Sequence, residues 1–200
     1  MKYILSILMI VGLTLSSYSK SKEVGENIDV THYEIHLNEI NIADRIIDAT
    51  TIITLKTLTS IDGIELELKS LDVTSVTSDD AIINNFSQNG DVLSVTFGNT
   101  VTANTTISLT VNYGGTTFNE NWGGIHWSND YVYNLGVGFD SQPHNLGKTW
   151  FPCVDNFTDK ASFDLYITFP DNMLSSCGGL LSATTDNGDG TKTDHWVVSQ

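Results

Sequence analysis

The chain has 200 residues, with 24 acidic against 9 basic side chains and a formal charge of −15 at pH 7. No basic cluster lies anywhere along it, which argues against any function that grips a nucleic-acid phosphate backbone, and the acidic balance predicts a well-solvated surface. Two cysteines without a C-x-x-C spacing exclude a structural zinc module and a disulfide-stapled miniprotein.

Lys2 precedes an apolar run from Ile4 to Val11 and on to Leu15, followed by the small residues of Ser17-Tyr18-Ser19. That order predicts a secretory signal peptide over residues 1–19, with the mature chain starting near Lys20. The run is short for a bilayer, and no later segment approaches the roughly 20 apolar residues of a membrane-spanning helix. The expectation is an exported protein without a membrane span, periplasmic or extracellular, whose residues 20–200 form one domain. Cys153 and Cys177 then pass through an oxidising compartment, where a disulfide between them is open. The apolar neighbours Phe151, Pro152 and Val154 point instead to Cys153 as a buried free thiol.

Further along, apolar and polar residues alternate with the period of a strand. Tyr33, Ile35 and Leu37 share one face, as do Ile64, Leu66 and Leu68 against Glu65, Glu67 and Lys69. The pattern returns over Val92 to Phe97 and Ile107 to Tyr113, then in Phe163, Leu165, Ile167 and Phe169. Turn signals fall at Ser60 to Gly63, Gln88 to Asp91, Gly114-Gly115 and Asn187 to Gly190, the last reading as a hairpin tip with its return strand over Asp194 to Val198. The fold class expected is all-β, an antiparallel sandwich. The strand pattern still runs at Gln200, which reads as a chain cut before a further domain.

His32-Tyr33-Glu34-Ile35-His36 superficially suggests a metal pair. On a strand, however, residues i and i+4 stand about 13 Å apart, so His32, Glu34 and His36 are read as the outer face of a first strand. No His-Glu-x-x-His, Gly-x-Ser-x-Gly or glycine-rich phosphate loop occurs in the sequence. No catalytic residue and no metal ligand is therefore assigned. The stretch from Thr116 to Gly147 departs from alternation and gathers Trp122, His126, Trp127, Tyr131, Tyr133 and His144. Its aromatic loop around Trp122 and Trp127 has two readings: a platform for a carbohydrate or peptide, or packing over a sheet edge with the glycines turning the chain.

The segment Gly147-Lys148-Thr149-Trp150-Phe151-Pro152-Cys153-Val154-Asp155-Asn156-Phe157-Thr158-Asp159-Lys160-Ala161-Ser162-Phe163 closely resembles a signature of the N-terminal domain of M1 zinc aminopeptidases, Arg-x-x-Phe-Pro-Cys-x-Asp-Glu-Pro-x-x-Lys-Ala-x-Phe. Ile28 to Leu37 and Ile64 to Lys69 are similar to strands of the same domain, so the resemblance covers the mature chain. It implies a saddle-shaped β-sandwich packed on a thermolysin-like catalytic domain. That second domain holds the zinc, through His-Glu-x-x-His and a downstream glutamate, and grips the substrate amine through Gly-Ala-Met-Glu-Asn. None of these motifs occurs here, so this chain alone is expected to be inactive and to hold no zinc. The resemblance also implies a loop reaching the active site, on which a Gln or Glu shortly before Phe-Pro-Cys contacts the substrate N-terminus. Gln142 is the nearest match, with a one-residue gap, and Asp140 is its acidic competitor. Two departures stand out: Asp155-Asn156-Phe157 replaces Asp-Glu-Pro, and Lys148 replaces an arginine whose bidentate fork a lysine cannot reproduce. Asp155 and Lys160 are assigned to bracing the loop.

Overall fold

The computed structural model describes residues 23–199, so the segment read as a signal peptide lies outside the described residues. In chain order the strands are β1 (Ile28–Asn41), β2 (Ile46–Thr57), β3 (Ile61–Glu67), β4 (Asp72–Thr77), β5 (Ile83–Asn89), β6 (Val92–Val101) and β7 (Thr106–Thr116). They continue as β8 (Asn119–Glu120), β9 (Gly123–Trp127), β10 (Val132–Leu135), β11 (Ser162–Pro170), β12 (Leu180–Asp186) and β13 (Thr191–Val198). The only helical turn among the described residues is a short 3-10 piece at Gly147–Thr149. No helix among them is long and apolar enough to cross a membrane.

Alternation decides which side of each strand is buried. Tyr33 and Ile35 of β1, Ile53 and Leu55 of β2, and Leu109 and Val111 of β7 point inward, where they meet Leu66 of β3 and Leu93 and Val95 of β6 in one core. The first layer is a seven-stranded sheet in the order β12-β13-β11-β1-β2-β7-β4, and the second is β3-β6-β5. A third small sheet, β10-β9-β8, carries the stretch where alternation failed. Most pairs are antiparallel, as expected of the sandwich, but β1 and β11 run parallel, with Tyr33 opposite Phe163 and Ile35 opposite Leu165. A parallel neighbour needs a long return path. Here residues 42–161, with β2 to β10 among them, make that path, and its last leg from Gly136 to Ala161 holds most of the signature segment.

Two expected turns are instead parts of strands. Gly63 lies inside β3 at a register shift against β6. Gly114 and Gly115 lie inside β7, where a Cβ on Gly114 would stand 2.6 Å from the Ile47 carbonyl oxygen. The glycines permit close strand approach rather than reversal. The hairpin tip at Asn187 to Gly190 forms as read, joining β12 to β13. Both cysteines are free, and Cys153 is buried. Burial, reinforced by the charge of Asp155, pushes the Cys153 thiol well above its ordinary range, so it behaves as an inert core residue.

Candidate functional site

The signature segment threads along the edge of the core and is tied to three strands. Cys153 forms a two-way backbone bridge with Glu67 of β3, its N–H donating to the Glu67 carbonyl at 3.0 Å and its carbonyl accepting from Glu67 N–H at 2.8 Å. The backbone N–H of Lys69 donates to the Lys148 carbonyl at 2.7 Å. Tyr113 of β7 donates its hydroxyl to the Trp150 carbonyl at 2.9 Å, and Tyr33 of β1 accepts the N–H of Val154 at 3.1 Å. Burying both tyrosines satisfies backbone groups that the irregular segment leaves without ladder partners. Phe151 is locked among rings, 5.2 Å from Tyr33, 4.7 Å from Trp150 and 6.1 Å from Phe163, all edge-on.

A three-charge network lies beneath the segment. Lys148 Nζ donates to Glu67 Oε1 at 2.6 Å and stands 3.8 Å from Asp155 Oδ2. Burial opposes the Lys148 charge, yet the hydrogen bond and charge of Glu67, with Asp155 behind them, hold its pKa above the usual value. The Asp155 pKa is raised as well, but against its charged form: burial pushes the carboxyl above the ordinary range, despite backbone donors at Lys148 and Gly147. The geometry explains the difference, because Asp155 Oδ2 is buried without a hydrogen bond while Glu67 takes the one good contact. A single ammonium cannot serve both carboxylates as a guanidinium fork would. Asp155 thus braces the segment, also accepting from Gly147 N–H at 3.2 Å, and the backbone N–H of Lys160 reaches the Asp159 carboxyl.

Anchored at one end by this segment, residues 136–146 form a closed loop. Leu146 N–H donates to the Gly136 carbonyl at 3.0 Å, and Gly138 N–H to the His144 carbonyl at 2.7 Å. Glu120 of β8 grips the tip: its carboxylate accepts from Asp140 N–H at 2.9 Å and from the Ser141 hydroxyl at 2.6 Å. The Ser141 hydroxyl bond leads a set of contacts that holds the Glu120 carboxyl below its ordinary value, with the Asp140, Ser141 and Phe139 backbone N–H groups adding to it. A carboxylate lowered on folding favours the folded loop above its unfolded pKa, and that contribution fades as pH falls through the folded value. A Cβ on Gly138 would run into Glu120 Oε1 and stand 2.5 Å from Leu146 Cδ1, so any larger residue there would displace the ends of both side chains.

Gln142 and Asp140, singled out from the sequence, are both exposed on this loop, two positions apart. Asn121 Nδ2 donates to Asp140 Oδ2 at 3.3 Å, and Gln142 Nε2 lies 3.1 Å from His144 Nε2. Sequence reasoning missed Glu120 and His144 as partners, because only the folded loop brings them together. Nearby, the aromatic stretch divides. Trp127 donates its indole N–H to Thr117 Oγ1 at 2.8 Å and packs on the core, whereas Trp122 is 66% exposed. Tyr133 stacks on His126 at 5.1 Å.

The outer face of β1 behaves as read. His36 Nε2 pairs with Glu34 Oε1 at 2.7 Å, while His32 turns to Ser162 Oγ at 2.8 Å and Asp164 Oδ2 at 3.2 Å. Asp164 is shared with His195 Nε2 at 2.5 Å. These side chains take one another as partners, and among the described residues no three such groups converge as a metal site. Among the described residues, then, no donor set fits zinc.

The arrangement defines a β-sandwich domain whose signature segment serves as a rigid mount for one exposed, acid-stapled loop. Residues 29–200 match the peptidase M1 N-terminal domain, and the chain belongs to that family. An M1 zinc metallopeptidase from Deinococcus radiodurans superposes with a TM-score of 0.73 at 22% identity, covering 86% of this chain and 39% of its own. A two-domain M1 zinc metallopeptidase variant bound to L-tryptophan gives a TM-score of 0.74 at 22% identity, again covering 86% and 39%. At such identity the likeness is one of fold. This chain spans about two-fifths of the length of those proteins. A stretch of 56 residues, 28% of this chain and 5% of the other, is 41% identical to transcription initiation factor TFIID subunit 2 of Drosophila melanogaster.

Proposed function

We propose that this is the N-terminal domain of an exported zinc aminopeptidase, that it packs on the catalytic domain, and that its loop at Asp140 and Gln142 helps to bind the free N-terminus of a peptide. One observation supports the reading: the signature segment, fixed by Lys148, Tyr33 and Tyr113, mounts a loop that exposes a carboxylate and an amide two positions apart at its tip. An α-ammonium group is a cation with three donors and no acceptor. A carboxylate and an amide carbonyl offer what it needs, and charge-assisted bonds of this kind are the stronger ones. Zinc and the water it activates belong to the catalytic domain in this reading.

In the peptidase that contains this domain, Gln142→Ala is expected to lower kcat/KM for peptides with a free N-terminus by roughly tenfold, the scale of one hydrogen bond to a charged group. Steady-state kinetics on the folded variant checks this, and unchanged kinetics would sink the assignment of Gln142. A second reading, an exported module that binds carbohydrate or peptide on the aromatic loop around Trp122 and Trp127, draws on the exposure of Trp122 and of the neighbouring Tyr131. Trp127 is partly buried against the core and its indole N–H is taken by Thr117, which weakens that platform.

A further inference from the structure

The tip of the loop fixes a tautomer. His144 Nδ1 lies 2.8 Å from the Gly138 carbonyl oxygen. A carbonyl can only accept, so Nδ1 carries the hydrogen, and in the neutral ring Nε2 is left as an acceptor. Its partner at 3.1 Å, Gln142 Nε2, is an amide nitrogen and donates to it. The amide of Gln142 is thereby held one way round, with Nε2 spent on the ring and Oε1 left as an acceptor without a protein partner among the described residues.

The Gly138 carbonyl is itself held in place. The Gly138 N–H donates to the His144 carbonyl at 2.7 Å, so residues 138 and 144 are joined in both directions, by backbone and by imidazole. Glu120 Oε1 occupies the space that a Cβ on Gly138 would take. The orientation of the ring therefore derives from the closed loop rather than from solvent.

From this geometry we infer that His144 is a positioning residue: it orients the Gln142 amide so that Oε1, and not the NH2 group, faces an incoming ammonium. The inference rests on the reading that Gln142 meets the peptide N-terminus, and it supplies what that reading lacks. A free glutamine side chain presents its donor face as readily as its acceptor face, and a donor face repels an ammonium. Holding the amide by its nitrogen removes the unproductive half of its orientations before substrate arrives.

Two measurements separate this inference from the reading beneath it. A long-range proton–nitrogen spectrum of the imidazoles of this chain, with His144 identified by its loss in His144→Phe, is expected to show a neutral ring protonated at Nδ1. A ring protonated at Nε2 would overturn the inference. In the peptidase that contains the domain, His144→Phe is expected to raise KM for free-N-terminus peptides roughly threefold to tenfold with kcat retained, the effect of one misdirected hydrogen bond. Gln142→Ala should match it, the double variant should be no worse than either single one, and His144→Gln, which restores an acceptor at the position of Nε2, should recover part of the loss. A raised KM in Gln142→Ala with a normal KM in His144→Phe overturns the positioning role and leaves the Gln142 reading standing. A normal KM in both overturns the Gln142 reading and, with it, the positioning role.

Discussion

Replacing Lys148 with methionine is expected to lower the stability of the domain by about 3–5 kcal/mol, the range for removing one partner of a buried ion pair. The side chains of Lys148, Glu67 and Asp155 are only 11%, 20% and 9% exposed, so water cannot take the place of the lost ammonium. Urea denaturation at neutral pH measures the loss. Its pH dependence follows from the shifts. The raised pKa of Lys148 means that its contribution is full below the unfolded value and is lost only as pH rises through the folded one. The raised pKa of Asp155 has the same sign but sits in the acidic range. Ionising this carboxyl therefore subtracts stability as pH rises through its folded value, so the deficit of Lys148→Met should shrink on acidification, when Asp155 takes up a proton. Lys148→Arg is the converse experiment. A guanidinium reaching both carboxylates would supply the hydrogen bond that Asp155 Oδ2 lacks and is expected to stabilise by about 1–3 kcal/mol.

Phe151→Ala is expected to cost a similar amount, about 3–5 kcal/mol, by a different route. Phe151 is 6% exposed, and its ring meets Tyr33, Trp150 and Phe163 edge-on. Truncation leaves a cavity that Tyr33 and Phe163 cannot close, because they are held opposite each other in the β1–β11 register. The same ring cluster fixes the height of the segment on which the loop is mounted. Denaturation should show the stability loss, and Phe151→Leu, which refills part of the volume, should recover some of it.

The sequence made much of this architecture legible, where side-chain pattern and burial coincide. Tyr33 and Ile35 alternate with His32, Glu34 and His36 and lie on opposite faces of β1, and the hairpin tip at Asn187 to Gly190 joins its two strands as read. β2 was harder to see, because its buried positions include Ala49, Thr51 and Thr57 as well as Ile53 and Leu55. A threonine counted as polar hides the period, although Thr51 is satisfied internally by its hydroxyl bond to Tyr113. Gly63 and Gly114 were misread as reversals, since a glycine that admits a neighbouring strand has the same local signature as one that turns the chain.

At the candidate site the limit was range rather than pattern. Glu67 and Lys148 are 81 positions apart, and no periodicity announces their contact. Glu67 read as one of the polar alternates of its strand, which is true of its position and silent about its partner. The substitution of lysine for arginine was visible, and the expectation that a lysine cannot reproduce the fork is matched by a network in which one carboxylate is hydrogen-bonded to the ammonium and the other is not. Glu120 and His144 carry no motif at all. Their roles exist only once the loop has closed on Gly138.

A structure of this domain joined to its catalytic domain, with a peptide bound, tests the central claim most directly. The account predicts Gln142 Oε1 about 3 Å from the α-nitrogen of the peptide, with the Asp140 carboxylate on the same side of that group. A peptide N-terminus more than about 6 Å from both residues, beyond effective charge and hydrogen-bond reach, would contradict it.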